Sequence, residues 1–107
     1  MEQISPKEAQ RLIEEEGARL VDVREDHEWA ESRISGAEHV PLSDFEVDPY
    51  QLEDAPLTIF QCAHGIRSQT AIAIYEQVHD GARAVNLEGG LAAWMEAGLP
   101  VDLEPAE

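Results

Sequence analysis

Residues 57–61 read LTIFQ, a run that is β-branched or apolar on both of its alternating faces. A strand of that kind has no side to turn to water, so it is stable only inside a sheet covered on both faces. The flanking segments supply the cover. Ser5-Pro6-Lys7-Glu8 has the residues of a capping box with proline at the first helical position, which predicts a helix through about Glu16. Ala9, Leu12 and Ile13 form its apolar stripe, and Gly17 is its stop. RLVDV (19–23) reads as a short strand and EDHEWAES (25–32) as a short helix anchored by a buried Trp29. Ser35-Gly36 is turn chemistry, and EHVPL (38–42) is extended, because the residue before a proline is pushed out of the helical region. SDFEV (43–47) predicts one helical turn capped by Ser43, and Pro49 and Pro56 bracket a connector.

Beyond the central strand, a helix is expected from about Ser68 to Val78, ending near Gly81. ARAVNL (82–87) is a further strand. Gly89-Gly90 opens a last helix, LAAWMEA (91–97), which Gly98 and Pro100 close. The acidic tail from about residue 102 is expected to be loose. Strands alternate with helices, which predicts an α/β fold with a mostly parallel central sheet and helices on both faces. With 107 residues, no repeat and no interdomain linker, the chain reads as one domain, residues 1–107.

Charge narrows the possible partners. The formal net charge is -16, from 23 acidic and 7 basic residues, and Lys7 is the only lysine. Such a surface repels nucleic acid and anionic membrane, so neither is expected as a partner. An acidic, lysine-poor surface stays hydrated and screened at high salt, although an ordinary acidic domain can carry the same composition. No apolar run exceeds five residues, which leaves no transmembrane helix, and the start, MEQISPKEAQ, has no basic-then-apolar pattern. One cysteine cannot form an internal disulfide. These features together point to a soluble cytoplasmic protein.

That cysteine follows the central strand directly, in CAHGIRS (62–68). Arg67 is the only charged residue between Asp54 and Glu76. Ligands of an open parallel sheet sit beyond the carboxyl ends of its strands, where Cys62 lies. Gly65 permits a tight turn, and the loop amides can point inward as an anion nest at the positive end of the next helix. A nest of this kind favours thiolate over thiol and holds an anionic group beside the sulfur. Arg67 can fork onto anionic oxygens, and His64 can donate to substrate or, when protonated, favour the thiolate. A lone cysteine is also commonly a small buried hydrophobe, which the position alone leaves open. Cys62-x-His64 is too little for a zinc site. His27 and His39 read as surface or packing residues, and Trp94, like Trp29, as a core anchor.

Three blocks resemble the single-domain rhodaneses, sulfurtransferases with the rhodanese-like α/β fold. LVDVREDHEWAESRISGAEHVPL (20–42) is similar to the family's Asp-Val-Arg-Glu segment with its later Gly-Ala and Pro. FQCAHGIRSQTAI (60–72) is similar to its Cys-x-x-Gly-x-Arg-Ser loop, and VNLEGGLAAWMEAGLPV (85–101) to its terminal Leu-x-Gly-Gly block. The resemblance implies a ping-pong transfer of sulfane sulfur through a persulfide on Cys62. Loop residues Ala63, His64, Gly65, Ile66, Arg67 and Ser68 would hold the substrate. The donor would be thiosulfate or a persulfide and the acceptor a thiol, which a partner protein could carry, or cyanide. No metal or organic cofactor is implied. Asp22 and Arg24 are expected to support the site structurally, Asp22 by accepting hydrogen bonds from the loop and Arg24 by pairing with a carboxylate such as that of Glu28. Where the family commonly has Gly-His, this chain has Ser32-Arg33, which is expected to alter a rim contact.

Two rivals remain on sequence. A sulfur-carrier or regulatory module could keep the same loop without turning over thiosulfate. Phosphatases and arsenate reductases related to the family place arginine six positions after cysteine, in a wider loop. Here Arg67 is five after Cys62, which favours sulfur over phosphate.

Overall fold

The computed structural model describes residues 1–103. Five strands form one parallel sheet: β1 (Glu2–Ile4), β6 (Arg83–Leu87), β5 (Leu57–Gln61), β2 (Arg19–Asp22) and β4 (Glu38–His39), in that spatial order. The two-sided run 57–61 lies at the centre, in register with both neighbours: Phe60 is opposite Val21 on one side and Asn86 on the other. Alternate residues feed two separate cores, as the pleat requires. Val21, Phe60, Ile72, Tyr75 and Phe45 form one, beneath α4 (Arg67–Val78) and α3 (Leu42–Val47). Leu20, Ile59, Val85, Leu12 and Trp94 form the other, beneath α1 (Pro6–Glu16) and α5 (Gly90–Glu96). Each fully buried large side chain in these layers contributes about 1.5–3 kcal/mol relative to exposure.

The first helix forms as its sequence directs. Ser5 Oγ accepts the Glu8 amide at 3.2 Å, Pro6 occupies the first turn, and Gly17 closes the helix at φ +69°. The box is only half built, because the Glu8 carboxylate turns to Arg11 instead.

Several elements differ from expectation, each for a physical reason. The first is β1, which the sequence reading omits. It is three residues long and pairs only with β6, so nothing local announces it. Next, α2 (Asp26–Glu31) buries no residue. Trp29 is half-buried and stacks on His39 with ring centroids 4.6 Å apart, while the Arg33 guanidinium lies 5.5 Å from the Trp29 ring centroid. Residues 38–42 are strand only at β4, since Leu42 already begins α3. Ser43 does not cap that helix: Pro41 precedes it, the Leu42 amide is taken by Val23 O at 3.0 Å, and Ser43 Oγ donates to Glu25 instead. Finally, the tail is not loose at its start. Asp102–Leu103 (β7) pairs antiparallel with Ser32–Arg33 (β3). The turn before β7 is tied by Trp94 Nε1 donating to Pro100 O at 2.9 Å. Residues 104–107 of the expected tail lie outside the described residues.

No helix among the described residues is long and apolar enough to cross a membrane.

Candidate active site

The carboxyl ends of β5 and β6 deliver two loops to one place. Cys62 follows the last residue of β5 and is 1% exposed. The chain then turns through Ala63, His64, Gly65 and Ile66 into α4, which begins at Arg67. The turn needs Gly65, whose φ is +91° and whose missing Cβ would stand 3.1 Å from Gly89 N. Against this loop sits the start of α5. Its otherwise unpaired amides at Leu91 and Ala92 donate to Cys62 O at 2.8 Å and Ala63 O at 3.0 Å. So close an approach is possible only because Gly90 has no side chain: a Cβ there would lie 2.2 Å from Cys62 O.

Around the sulfur, donors converge. The amides of Gly65 and Ser68 reach Cys62 Sγ at 3.2 and 3.4 Å, and Ser68 Oγ lies 3.4 Å away. Burial pushes the Cys62 thiol up, but the Ser68 hydroxyl and amide and the His64 and Gly65 amides outweigh it, leaving the thiol below its ordinary value. The loop is therefore an amide nest around a thiol whose ionisation these donors favour.

Arg67 does not stand free at the mouth. Its two terminal nitrogens hold Glu28 Oε1 and Oε2 at 2.6 and 2.9 Å, pinning α4 to α2. Glu28 also accepts the Glu25 amide at 3.0 Å. The Arg67 hydrogen bond, against the opposing effect of burial, lowers the Glu28 carboxyl to about 2. The same bond raises Arg67 in return. His64 and Ile66 are exposed at the rim, Ala63 is half-buried and Ser68 is fully buried.

The loop residues expected at the site thus gather about Cys62, and Glu28 joins them through Arg67. The expectation for Asp22 and Arg24 needs correction. Arg24 pairs with Asp22, not with the Glu28 carboxylate, at 2.8 Å from Nη2 to Oδ2. Arg24 sits one residue ahead of the α2 cap, from where its guanidinium folds back on β2 and meets only backbone oxygens of the next segment, Glu28 O at 3.3 Å and Ser32 O at 2.6 Å. Asp22 consequently accepts from Arg24, including its amide at 2.9 Å, and not from the cysteine loop.

Asn86 and its partner Gln3 went unread in the sequence. Asn86 of β6 is buried, accepts from Ser68 Oγ, and donates to Gly65 O at 3.1 Å and to Gln3 Oε1 of β1 at 2.8 Å. The available signal was a lone polar residue among the apolar positions 84–87 of the strand. Among the described residues, no group of three or more His, Cys, Asp or Glu side chains is placed to hold a metal ion.

Residues 5–97 match the model of the Rhodanese-like domain. The chain is 35% identical over 101 residues to the thiosulfate sulfurtransferase GlpE of Actinobacillus pleuropneumoniae serotype 7, covering 94% of this chain and 92% of that protein. A rhodanese-related protein from Thermoplasma volcanium superposes with a TM-score of 0.85 at 31% identity, covering 97% of this chain and 100% of the other. A rhodanese-like domain protein from Staphylococcus aureus gives 0.76 at 32% identity, covering 88% and 91%.

Proposed function

The chain belongs to the rhodanese-like domain family, and we propose that it is a sulfurtransferase carrying sulfane sulfur on Cys62. The observation that carries the reading is the pair of amides, Gly65 and Ser68, aimed at a buried thiol at 3.2 and 3.4 Å. The names of its relatives, thiosulfate sulfurtransferases, support the same class.

In this reading the Cys62 thiolate attacks the outer sulfur of thiosulfate or of a small persulfide. The donor S–S bond breaks, and sulfite or thiolate leaves with the electron pair. The product is a Cys62 persulfide whose charge resides on the outer sulfur, where inward-facing amides of the loop stabilise it. An acceptor thiolate, or cyanide, then attacks that outer sulfur and returns Cys62 as thiolate. Arg67 orients the anionic part of the donor, which requires sharing it with Glu28. No metal or organic cofactor takes part. The reaction suits a reducing cytoplasm, where a single free thiol stays unpaired.

The test is mass spectrometry of the intact protein after incubation with thiosulfate. A gain of one sulfur that is absent from Cys62→Ser is expected; a gain that persists in that variant overturns the reading. Modification by a small-molecule persulfide but not by thiosulfate assigns the chain to sulfur carriage. The short loop, in which Arg67 follows Cys62 by five positions, favours sulfur over phosphate. Hydrolysis of an aryl phosphate at a rate matching thiosulfate use would reverse that choice.

A further inference from the structure

The hydrogen-bond pattern behind Cys62 contains one proton with two claimants. Asn86 Nδ2 faces two acceptors, Gly65 O at 3.1 Å and Gln3 Oε1 at 2.8 Å. That fixes the carboxamide with its oxygen toward Ser68, because the flipped amide would set its oxygen against the Gly65 carbonyl. Asn86 Oδ1 can only accept, so the Ser68 hydroxyl donates to it. The same Ser68 oxygen lies 3.4 Å from Cys62 Sγ. A hydroxyl has a single proton. While it rests on Asn86, the hydroxyl turns only its oxygen lone pairs to the sulfur, a contact that suits S–H and opposes S⁻. When the thiol proton leaves to a base in solvent, the hydroxyl must turn to the sulfur, and Asn86 Oδ1 loses its donor. Both side chains are buried, Ser68 at 0% and Asn86 at 1% exposure, so water does not readily replace either partner.

We propose that Asn86 is a positioning residue for Cys62: it competes with the thiolate for the Ser68 proton and thereby sets how readily the sulfur ionises. Ser68 is a two-position donor, turned to Asn86 beside the thiol and to the sulfur beside the thiolate. The Gly65 and Ser68 amides, fixed by the backbone, serve the thiolate without this competition. The edge strand β1 joins the arrangement through Gln3, which holds the carboxamide from behind. The charged groups on the surrounding elements include Arg67 of α4 with its Glu28 partner on α2, the Asp22–Arg24 pair at the end of β2, and Glu88 beyond β6, with the Arg83–Glu2 pair at the opposite ends of β6 and β1 and Glu76 on the exposed face of α4; His64 is the titratable group of the loop itself. None of them touches Ser68 or Asn86 by hydrogen bond, so replacing Asn86 leaves them in place. The inference rests on Cys62 as the reacting group of the proposed transferase. Its test needs no sulfur donor, so the two can fail separately.

The experiment is the pH profile of Cys62 alkylation by iodoacetamide in a double-mutant cycle. Asn86→Leu removes the competing acceptor, so alkylation at pH 6.5–7 should rise about three- to tenfold, with the midpoint moving down by about half to one unit. Ser68→Ala alone should move the midpoint by less than about half a unit, since donation to the thiolate and the lost donation to Asn86 nearly cancel. In the Ser68→Ala background, Asn86→Leu should then have no further effect. A midpoint unmoved or raised in Asn86→Leu overturns the proposal. So does a shift that survives in the Ser68→Ala background, which would mean that Asn86 acts by holding the loop. Should Asn86→Leu not fold, Ser68→Ala decides alone: a rise of about one unit or more would show the hydroxyl fully committed to the sulfur, with no competitor.

Discussion

Arg67 and Glu28, 39 positions apart, close on each other end to end through two hydrogen bonds of 2.6 and 2.9 Å. The arginine expected to receive the substrate is thus already held by a carboxylate. The contact joins the start of α4 to α2, and it sets the net charge that an incoming anion meets at the mouth.

Donor charge should therefore decide what Arg67 is worth. In Arg67→Ala the anionic donor loses its only cationic contact on the loop, while an uncharged sulfane donor loses little. Persulfide loading from thiosulfate is expected to fall by at least about tenfold more than loading from an uncharged polysulfide, the equivalent of about 1.4 kcal/mol. Parallel rate measurements on both donors check this. Equal losses would reduce Arg67 to a support for the loop.

The same pair makes a prediction about acid. Glu28 titrates at about 2 in the folded protein against an ordinary 4.5. A carboxyl lowered by folding contributes stability above its unfolded value, and that stability drains away as pH falls through 4.5 toward about 2. Because the Arg67 side chain is 36% exposed, solvent screening reduces the amount to about 1–2 kcal/mol. Urea unfolding at pH 7 and pH 3 should show Glu28→Gln losing less stability between the two than the parent protein. Equal losses would mean that the bridge does not hold in solution.

How much of this was legible beforehand depended on how local the cause was. Ser5, Pro6 and Gly17 mark α1 by contacts within one turn, and they were readable. The strand at 57–61 and the loop after it were readable because LTIFQ has no polar side and Gly65 stands at the turn. Arg24 and Glu28 are four apart, yet their side chains do not pair, because Arg24 precedes the helix and four-residue spacing brings side chains together only within one. The bond between Asn86 and Gln3 spans 83 positions and exists only once β1 lies beside β6. No residue pattern within either strand encodes that adjacency.

Gly90 tests the close contact between the two loops. At φ +60°, with a Cβ that would fall 2.2 Å from Cys62 O and 2.7 Å from Ala63 C, alanine must displace backbone. Gly90→Ala should cost more than about 3 kcal/mol and lose loading of Cys62 in whatever fraction folds. Gly17→Ala is the control: its φ is +69° but nothing lies within 4 Å, so the cost should stay near 1 kcal/mol. Thermal melts of the two variants decide it; similar losses would mean that strain at φ alone sets the penalty.

Gln61, one residue before Cys62, is fully buried, and among the described residues neither end of its amide finds a hydrogen-bond partner. Its desolvation is therefore uncompensated. Gln61→Met keeps the length and removes both polar atoms, so unfolding free energy should rise by about 1–2 kcal/mol. Denaturant titration reads the change directly. A loss of similar size would show that the amide is satisfied by a buried water.

Asp22 and Arg24 carry the opposite expectation. Their side chains are 0% and 4% exposed, and Arg24 also holds the Ser32 and Glu28 carbonyls, so the pair ties β2 to the two short segments that follow it. Asp22→Asn leaves a guanidinium buried without its counter-charge, which costs about 3–5 kcal/mol. Among the described residues the cysteine loop donates no hydrogen bond to the Asp22 carboxylate, whose donors all belong to Arg24. Hence the fraction that folds should keep the alkylation midpoint of Cys62 while its melting temperature drops by ten degrees or more, at about 4–8 °C for each kcal/mol lost. A normal melting temperature with a displaced midpoint would invert the assignment, making Asp22 part of the chemistry and not of the frame that carries it.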